Sequence, residues 1–273
     1  NIPRDQRLWL KCELLCTVRP GYSWSFFQSI FPCQLKVNET HTKFLADEAA
    51  RLSQEQDTYK DLVLTSTIES YRGIVPKIKE AYSWAVTNTN ADWIVKADDD
   101  MYVRVELISR FLSRFSSSKP TVVGKINDFA TVWREGKWAE PDYKPDIYPK
   151  WAQGAAGHVV SRPIAEYIHS HEATLHNYQG EDVSIGIWLD ESPLKDKVDW
   201  QDSRLLQMDK LCTSDSPAVV IGHEMTPERL RECHEELKDV DYIDFDAEEL
   251  RGSSYGLLDP LDMDYPDYYS IDE

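Results

Sequence analysis

The chain has 273 residues, 41% of them hydrophobic and 29% charged, enough for one large domain or two small ones with an ample core. Its net charge of −18 argues against electrostatic attraction to nucleic acid or to an anionic membrane surface. No apolar stretch approaches the roughly twenty residues that span a bilayer, and the opening NIPRDQ is not a signal peptide.

Residues 41–56 carry Leu45, Ala49 and Leu52 at helical spacing and predict a helix, followed by a short strand over 61–64. Ile74, Ile78, Tyr82 and Ala85 mark a second amphipathic helix, with Pro76 in its first turn, where a missing N–H does little harm. Residues 93–97 form the next predicted strand. A helix carrying Ile108, Phe111, Leu112 and Phe115 follows, then a strand over 121–123 that closes in Gly124. Residues 132–138, VWREGKW, predict a hairpin around Glu135-Gly136-Lys137, and a proline-rich loop over 141–149 leads into YPKWAQGAAGHVVS. There Gly154, Ala155, Ala156 and Gly157 allow close approach of the backbone to a neighbour.

A strand is expected over 158–160, with Ser161 capping a helix that runs from Pro163 toward His171. Gly180-Glu181-Asp182 opens a further helix in which Val183, Ile187 and Trp188 suggest one buried face. A strand over 218–222 and a helix begun by Thr226-Pro227, with Leu230, Cys233 and Leu237 inward, complete the body. This alternation is the pattern of an α/β domain with a mostly parallel sheet. Residues 239–273 hold twelve acids against one arginine and contribute −11 of the net charge, which predicts a mobile tail after a body of 1–238.

The five cysteines fall into two groups, Cys12, Cys16 and Cys33, then Cys212 and Cys233; neither has zinc-finger spacing. An odd number leaves one thiol over if disulfides form. Together with the sequon Asn38-Glu39-Thr40, the cysteines lean toward a secretory lumen.

The chemistry concentrates in WIVKADDDMYVR, residues 93–104, where a buried-type strand ends in Asp98, Asp99 and Asp100. Three adjacent carboxylates repel one another unless a cation neutralises them, and hard oxygen ligands suit Mg²⁺ or Mn²⁺. The alternative is a solvated acidic turn; the apolar flanks favour a cleft. Glu181-Asp182 follows a glycine at a helix start, where the positive helix end stabilises a carboxylate, and Asp182 is either a base or a helix-cap acid. His223 directly follows an apolar strand and gains interest from its partnership with the acids. His169, His171 and His176 lack the companions of a zinc site, and there is no P-loop or nucleophile elbow. Trp133, Trp138, Tyr148 and Trp151 surround the cleft in sequence and are candidates for stacking on a sugar.

The ordered series YKDLVLTSTIESYRGIVPKIKEAYSWA, KADDDMYV, YPKWAQGAAGHVVS and GEDVSIGIWL resembles the β1,3-glycosyltransferases of glycosyltransferase family 31, which include the Fringe proteins. The resemblance spans roughly residues 59–191 and continues more faintly to Cys233. It implies a GT-A fold, a UDP-sugar donor with Mn²⁺ or Mg²⁺, inversion at the anomeric carbon, and a glycan or glycoprotein acceptor. It also implies a Golgi or ER lumen location, if a removed N-terminal anchor is assumed. Carried over by position, Asp98 and Asp100 with His223 correspond to the metal site, Asp182 to the catalytic base, and Lys96, Asp98, Asp99 and Asp100 to the nucleotide-sugar motif. The chain departs from the family at Glu69 and Gly73, at His158 where an aromatic is usual, and near Arg4, Arg7 and Trp9, where the arginine-rich nucleotide motif is not recognisable. The expected activity is β1,3 transfer of a hexose or N-acetylhexosamine, galactose or N-acetylgalactosamine favoured. A catalytically inactive sugar- or nucleotide-binding relative and a two-carboxylate glycoside hydrolase are the alternatives.

Overall fold

The computed structural model describes residues 39–67, 70, 73–203, 205–206, 212–213 and 218–240. The expected tail beyond Val240, the early cysteines and the Arg4–Trp9 region lie outside them. Helix α1 (Glu39–Tyr59) is followed by α2 (Ile74–Asn88), β1 (Trp93–Lys96), β2 (Tyr102–Val103), α3 (Val105–Leu112), β3 (Thr121–Gly124) and β4 (Ile126–Asn127). Then come β5 (Trp151–Ala152), β6 (His158–Ser161), α4 (Arg162–His171), α5 (Glu181–Asp190), β7 (Asp199–Asp202), β8 (Val220–Ile221) and α6 (Pro227–Leu237).

Four strands form the central sheet in the order β1-β6-β3-β7. Strand β6 runs antiparallel to both β1 and β3, while β7 is parallel to β3. The sheet is therefore mixed, with one reversed strand among three that share a direction, and the expectation of a mostly parallel sheet fails at β6. A strand buried on both faces is a continuous apolar run whichever way it points, so VVS in β6 carries no directional signal. Alternate residues serve opposite faces. Ile94, Val122 and Val160 pack toward α2, α4 and α5 with Tyr82, Ile164 and Trp188, and Val95, Val123 and Val159 face α3 with Leu107, Ile108 and Phe111. Burial of each such large side chain contributes about 1.5–3 kcal/mol.

Several expectations change in detail. Residues 61–64 form no strand. Ala49 is exposed in α1, whose turns are braced instead by surface pairs such as Lys43–Asp47 at 2.8 Å. Residues 132–138 form no hairpin, because the Arg134 guanidinium donates to the carbonyls of Glu140, Tyr143, Lys144 and Pro145 and folds the loop around itself. The Ser161 hydroxyl does not cap α4; it donates to Lys119 O and accepts from the Thr121 N–H, clamping β6 to β3. Helix α5 buries every residue from Val183 to Leu189 rather than one face, because α2, β5 and the 130–148 loop surround it. The last strand shortens to β8. Phe115 lies beyond α3 but packs edge-on against Phe111. The last helix matches the expectation: Pro227 opens α6 and the Thr226 hydroxyl accepts from the Arg229 N–H. No helix among the described residues is long and apolar enough to cross a membrane.

Candidate active site

Strand β1 ends at Lys96, and a turn closed by the Met101 N–H to Asp98 O carries the three acids into β2. Pairing of β2 with β8 sets Tyr102 opposite Ile221, which brings the residues just before β2 against those just after β8. The turn after β8 holds Gly222 and Glu224 at positive φ, 80° and 56°. Its Glu224 N–H donates to Asp100 Oδ2 at 3.0 Å and its Met225 N–H to Asp100 O at 3.1 Å. His223, between Gly222 and Glu224, places Nδ1 3.8 Å from Asp100 Oδ2. A disulfide between Cys212 and Cys233 closes the segment that contains this turn.

Asp98, Asp100 and His223 offer ligand atoms that all lie within 4.8 Å of one another. Asp100 Oδ1 and His223 Nδ1 are buried without a hydrogen-bond partner, an arrangement that costs free energy unless something accepts both. Two carboxylates and an imidazole are a donor set for Mn²⁺ or Mg²⁺, so the residues fit a divalent cation. Asp99 is exposed and outside this cluster. His176, by contrast, meets Asp142 at 3.3 Å and the edge of the Tyr178 ring, and His171 meets the Tyr167 carbonyl.

The second half of the site forms at the start of α5. Lys96, whose side chain is 5% exposed, sits with Nζ 2.7 Å from Asp98 Oδ1, 3.0 Å from Glu181 Oε1 and 3.4 Å from Gly154 O. Burial disfavours its ammonium, but Glu181 and Asp98 outweigh that and hold it protonated far above the ordinary lysine range. Asp182 Oδ2 accepts from the Gly154 N–H at 2.9 Å, and Oδ1 accepts from the Val183 N–H at 2.8 Å. The peptide of Gly154 thus has Lys96 on its carbonyl side and Asp182 on its amide side. A Cβ at Gly154 would meet Glu181 Oε1 at 2.5 Å and Asp182 Oδ2 at 3.1 Å, which explains the residue type.

The two adjacent acids of α5 take different fates. Burial raises Glu181, but Lys96 more than offsets this and keeps it ionised. Burial and the neighbouring Glu181 charge push Asp182 up to about 7, where a carboxylate is suited to proton transfer. His158, fully buried beside this group, is pushed down to about 3 by burial and by Lys96, so its ring is neutral and meets the Tyr82 hydroxyl at 3.2 Å. Sequence reasoning pairs Glu181 with Asp182 but assigns no role in this site to Gly154, His158 or Tyr82. The only available signal was the glycine pair in QGAAGH, since nothing in a sequence shows that Lys96 and Glu181 meet. Tyr148 and Trp151 lie close by, the Trp151 Nε1 buried and without a partner, whereas Trp133 and Trp138 are exposed.

The family model described as Galactosyltransferase matches residues 42–198, more than half of the chain. The chain belongs to this galactosyltransferase family, of the family-31 type. Human UDP-GalNAc:beta-1,3-N-acetylgalactosaminyltransferase 2 is 34% identical over 150 residues, 55% of this chain and 30% of the relative. The Xenopus laevis protein of the same name is 30% identical over 196 residues, 71% of this chain and 38% of the relative. Hydroxyproline O-galactosyltransferase GALT2 of Arabidopsis thaliana is 32% identical over 146 residues, 52% of this chain and 21% of the relative. The chain therefore spans well under half the length of these curated relatives. The family match includes Lys96, the three acids and Asp182, while His223 lies beyond its end.

Proposed function

We propose that this protein transfers galactose or N-acetylgalactosamine from a UDP-sugar to a glycan hydroxyl in β1,3 linkage, with inversion, on a GT-A-type domain. One observation carries the reading: the cation-type cluster of Asp98, Asp100 and His223 is joined through Lys96 to the Glu181–Asp182 pair. The relatives named as β1,3-N-acetylgalactosaminyltransferase and as galactosyltransferase support the sugar class, and the first of them the linkage.

Asp98, Asp100 and His223 would hold Mn²⁺ or Mg²⁺, which when bound neutralises negative charge on a diphosphate leaving group. Asp182 accepts the proton of the attacking hydroxyl as its oxygen bonds to the anomeric carbon and the bond from that carbon to the diphosphate breaks. The Gly154 N–H fixes Oδ2 of that carboxylate, and the Val183 N–H fixes Oδ1. Lys96 holds Asp98 and Glu181 at a fixed spacing, so the leaving-group side and the base side are positioned as one unit.

We assign residues 1–238 to this domain and the tail to a role outside the chemistry, with a location in the secretory pathway consistent with the Cys212–Cys233 disulfide. Because Val240 packs beside Cys212 and its carbonyl accepts from Arg104 at 3.4 Å, truncation belongs after Val240. The test is UDP release with each UDP-sugar and a glycan acceptor, in Mn²⁺ and in chelator, followed by linkage analysis of the product. Metal-dependent UDP release that accompanies a new β1,3 bond supports the reading; UDP and metal binding without transfer under any donor points to an inactive relative.

A further inference from the structure

Beyond Asp182 along α5 lies a cleft of about 490 Å³ that the mechanism does not use, lined by Phe129, Tyr148, Lys150, Asp190, Lys195 and Trp200 among others. A volume of this size accommodates an organic ligand. Asp182, Gly186 and the pair Leu189–Asp190 follow at helical spacing and share one face of α5. At the helical rise per residue, Asp190 stands about 12 Å from Asp182 along the axis. The chain crosses that face between them, at Gly186, where a Cβ would come within 2.5 Å of Lys150 O. Base and cleft therefore flank a single crossing.

The rim of the cleft is apolar and exposed. Of the seven large hydrophobic side chains exposed among the described residues, Phe129, Trp133, Trp138 and Ile147 all come from the loop between β4 and β5, and Phe129 and Ile147 of these line the cleft. Phe129 is 74% exposed at a φ of 65°, a left-handed conformation that an aromatic residue keeps only where its surroundings impose it. Here they do. The ion pair Asp128–Lys150 at 3.2 Å braces one side of it, and the Tyr148 N–H to Ala130 O bond at 2.8 Å braces the other.

The polar lining decides what fits. Asp128, Asp190 and Asp196 face Lys150 and Lys195, and four of these five charges are paired, as Lys150–Asp128 and Lys195–Asp190, the latter at 2.9 Å. The cleft has no excess of positive charge to hold a phosphate, a sulfate or a sugar carboxylate. Carboxylates and ammonium groups do accept from and donate to hydroxyls, and the negative face of an aromatic ring favours the C–H side of a sugar.

We propose that this cleft is an extended acceptor subsite for a neutral oligosaccharide, gripping sugar residues beyond the one whose hydroxyl faces Asp182. Its place in the reaction rests on the reading of Asp182 as the base. An array displaying neutral, sialylated and sulfated oligosaccharides, their terminal monosaccharides and unglycosylated peptides would be probed with the full chain in Mn²⁺ and UDP. Neutral oligosaccharides should be retained, and Phe129→Ala, a change at an exposed ring, should weaken that retention at least tenfold, with calorimetric UDP affinity reporting an intact fold. Equal retention by Phe129→Ala, preference for anionic glycans or for peptides, or no glycan retained at all would overturn the proposal. Because the array reads binding without turnover, Phe129-dependent retention by a protein that transfers no sugar would uphold the glycan site and overturn the base reading instead.

Discussion

Lys96 Nζ and Glu181 Oε1 lie 3.0 Å apart, the lysine side chain buried and the glutamate 16% exposed, and the pair fixes the end of β1 to the start of α5. Removing one partner strands a buried charge. Lys96→Met therefore leaves Glu181 uncompensated and should destabilise the protein by about 3–5 kcal/mol. Chemical denaturation checks this; a loss below 1 kcal/mol would mean that the pair is solvated.

Asp182→Asn keeps the shape of the side chain and its acceptor toward the Gly154 N–H but cannot take a proton. Turnover should fall by about 10²- to 10⁴-fold while UDP affinity in Mn²⁺ changes little. Unaltered transfer would reassign Asp182 to helix capping and shift the search for a base to another acid.

Transfer should depend on pH through the same residue. Asp182 works as a base only when ionised, so kcat/KM should rise with pH through about 7. Glu181→Gln removes the negative neighbour that raises Asp182, and the rise should move to lower pH. The stability consequence has the opposite sense. Because the folded protein holds this proton more tightly than the unfolded chain does, the contribution of Asp182 to stability is fully present below its ordinary value of 3.8 and is lost as pH climbs through about 7. Rate profiles and urea melts over pH 5 to 9, together with those of Glu181→Gln, test both senses, and a profile unmoved by that substitution would break the link between the two acids.

Asp100→Ala should abolish metal-dependent UDP binding without unfolding the protein. It removes one backbone bond, from Glu224, worth about 1 kcal/mol, and relieves repulsion with Asp98. Calorimetry with equal UDP affinity in chelator and in Mn²⁺ for the unaltered protein would sink the cation assignment.

Gly154→Ala places a methyl group against Glu181 and Asp182, and Gly186→Ala places one against the backbone of Lys150. Overpacking of this kind costs about 1–3 kcal/mol. The first variant should lose transfer far more than stability, since flexible carboxylates move aside at the expense of their aim; the second should lose both, since backbone must shift. Melting temperature set against turnover for the two variants distinguishes these patterns.

The acids at the end of β1 and the Gly-Glu-Asp start of α5 were legible because each is a local signal: apolar residues that stop abruptly at charge, and carboxylates at a helix N-terminus. The helices α2, α3 and α6 were legible for the same reason, their periodic apolar residues lying within a few turns of one another. Direction and partnership were not. The reversal of β6, the loop folded around Arg134 and the burial of α5 on all sides depend on what packs against each segment, and periodicity is blind to that. The site shows the same division. Sequence by itself placed carboxylates and a histidine at the ends of strands and a helix, which is a question of residue type and local pattern. Only the tertiary structure decided that a two-residue ladder would bring His223 to Asp100, and that Lys96 would join Asp98 to Glu181, because charges distant in the chain interact through space and their order along it fixes no distance.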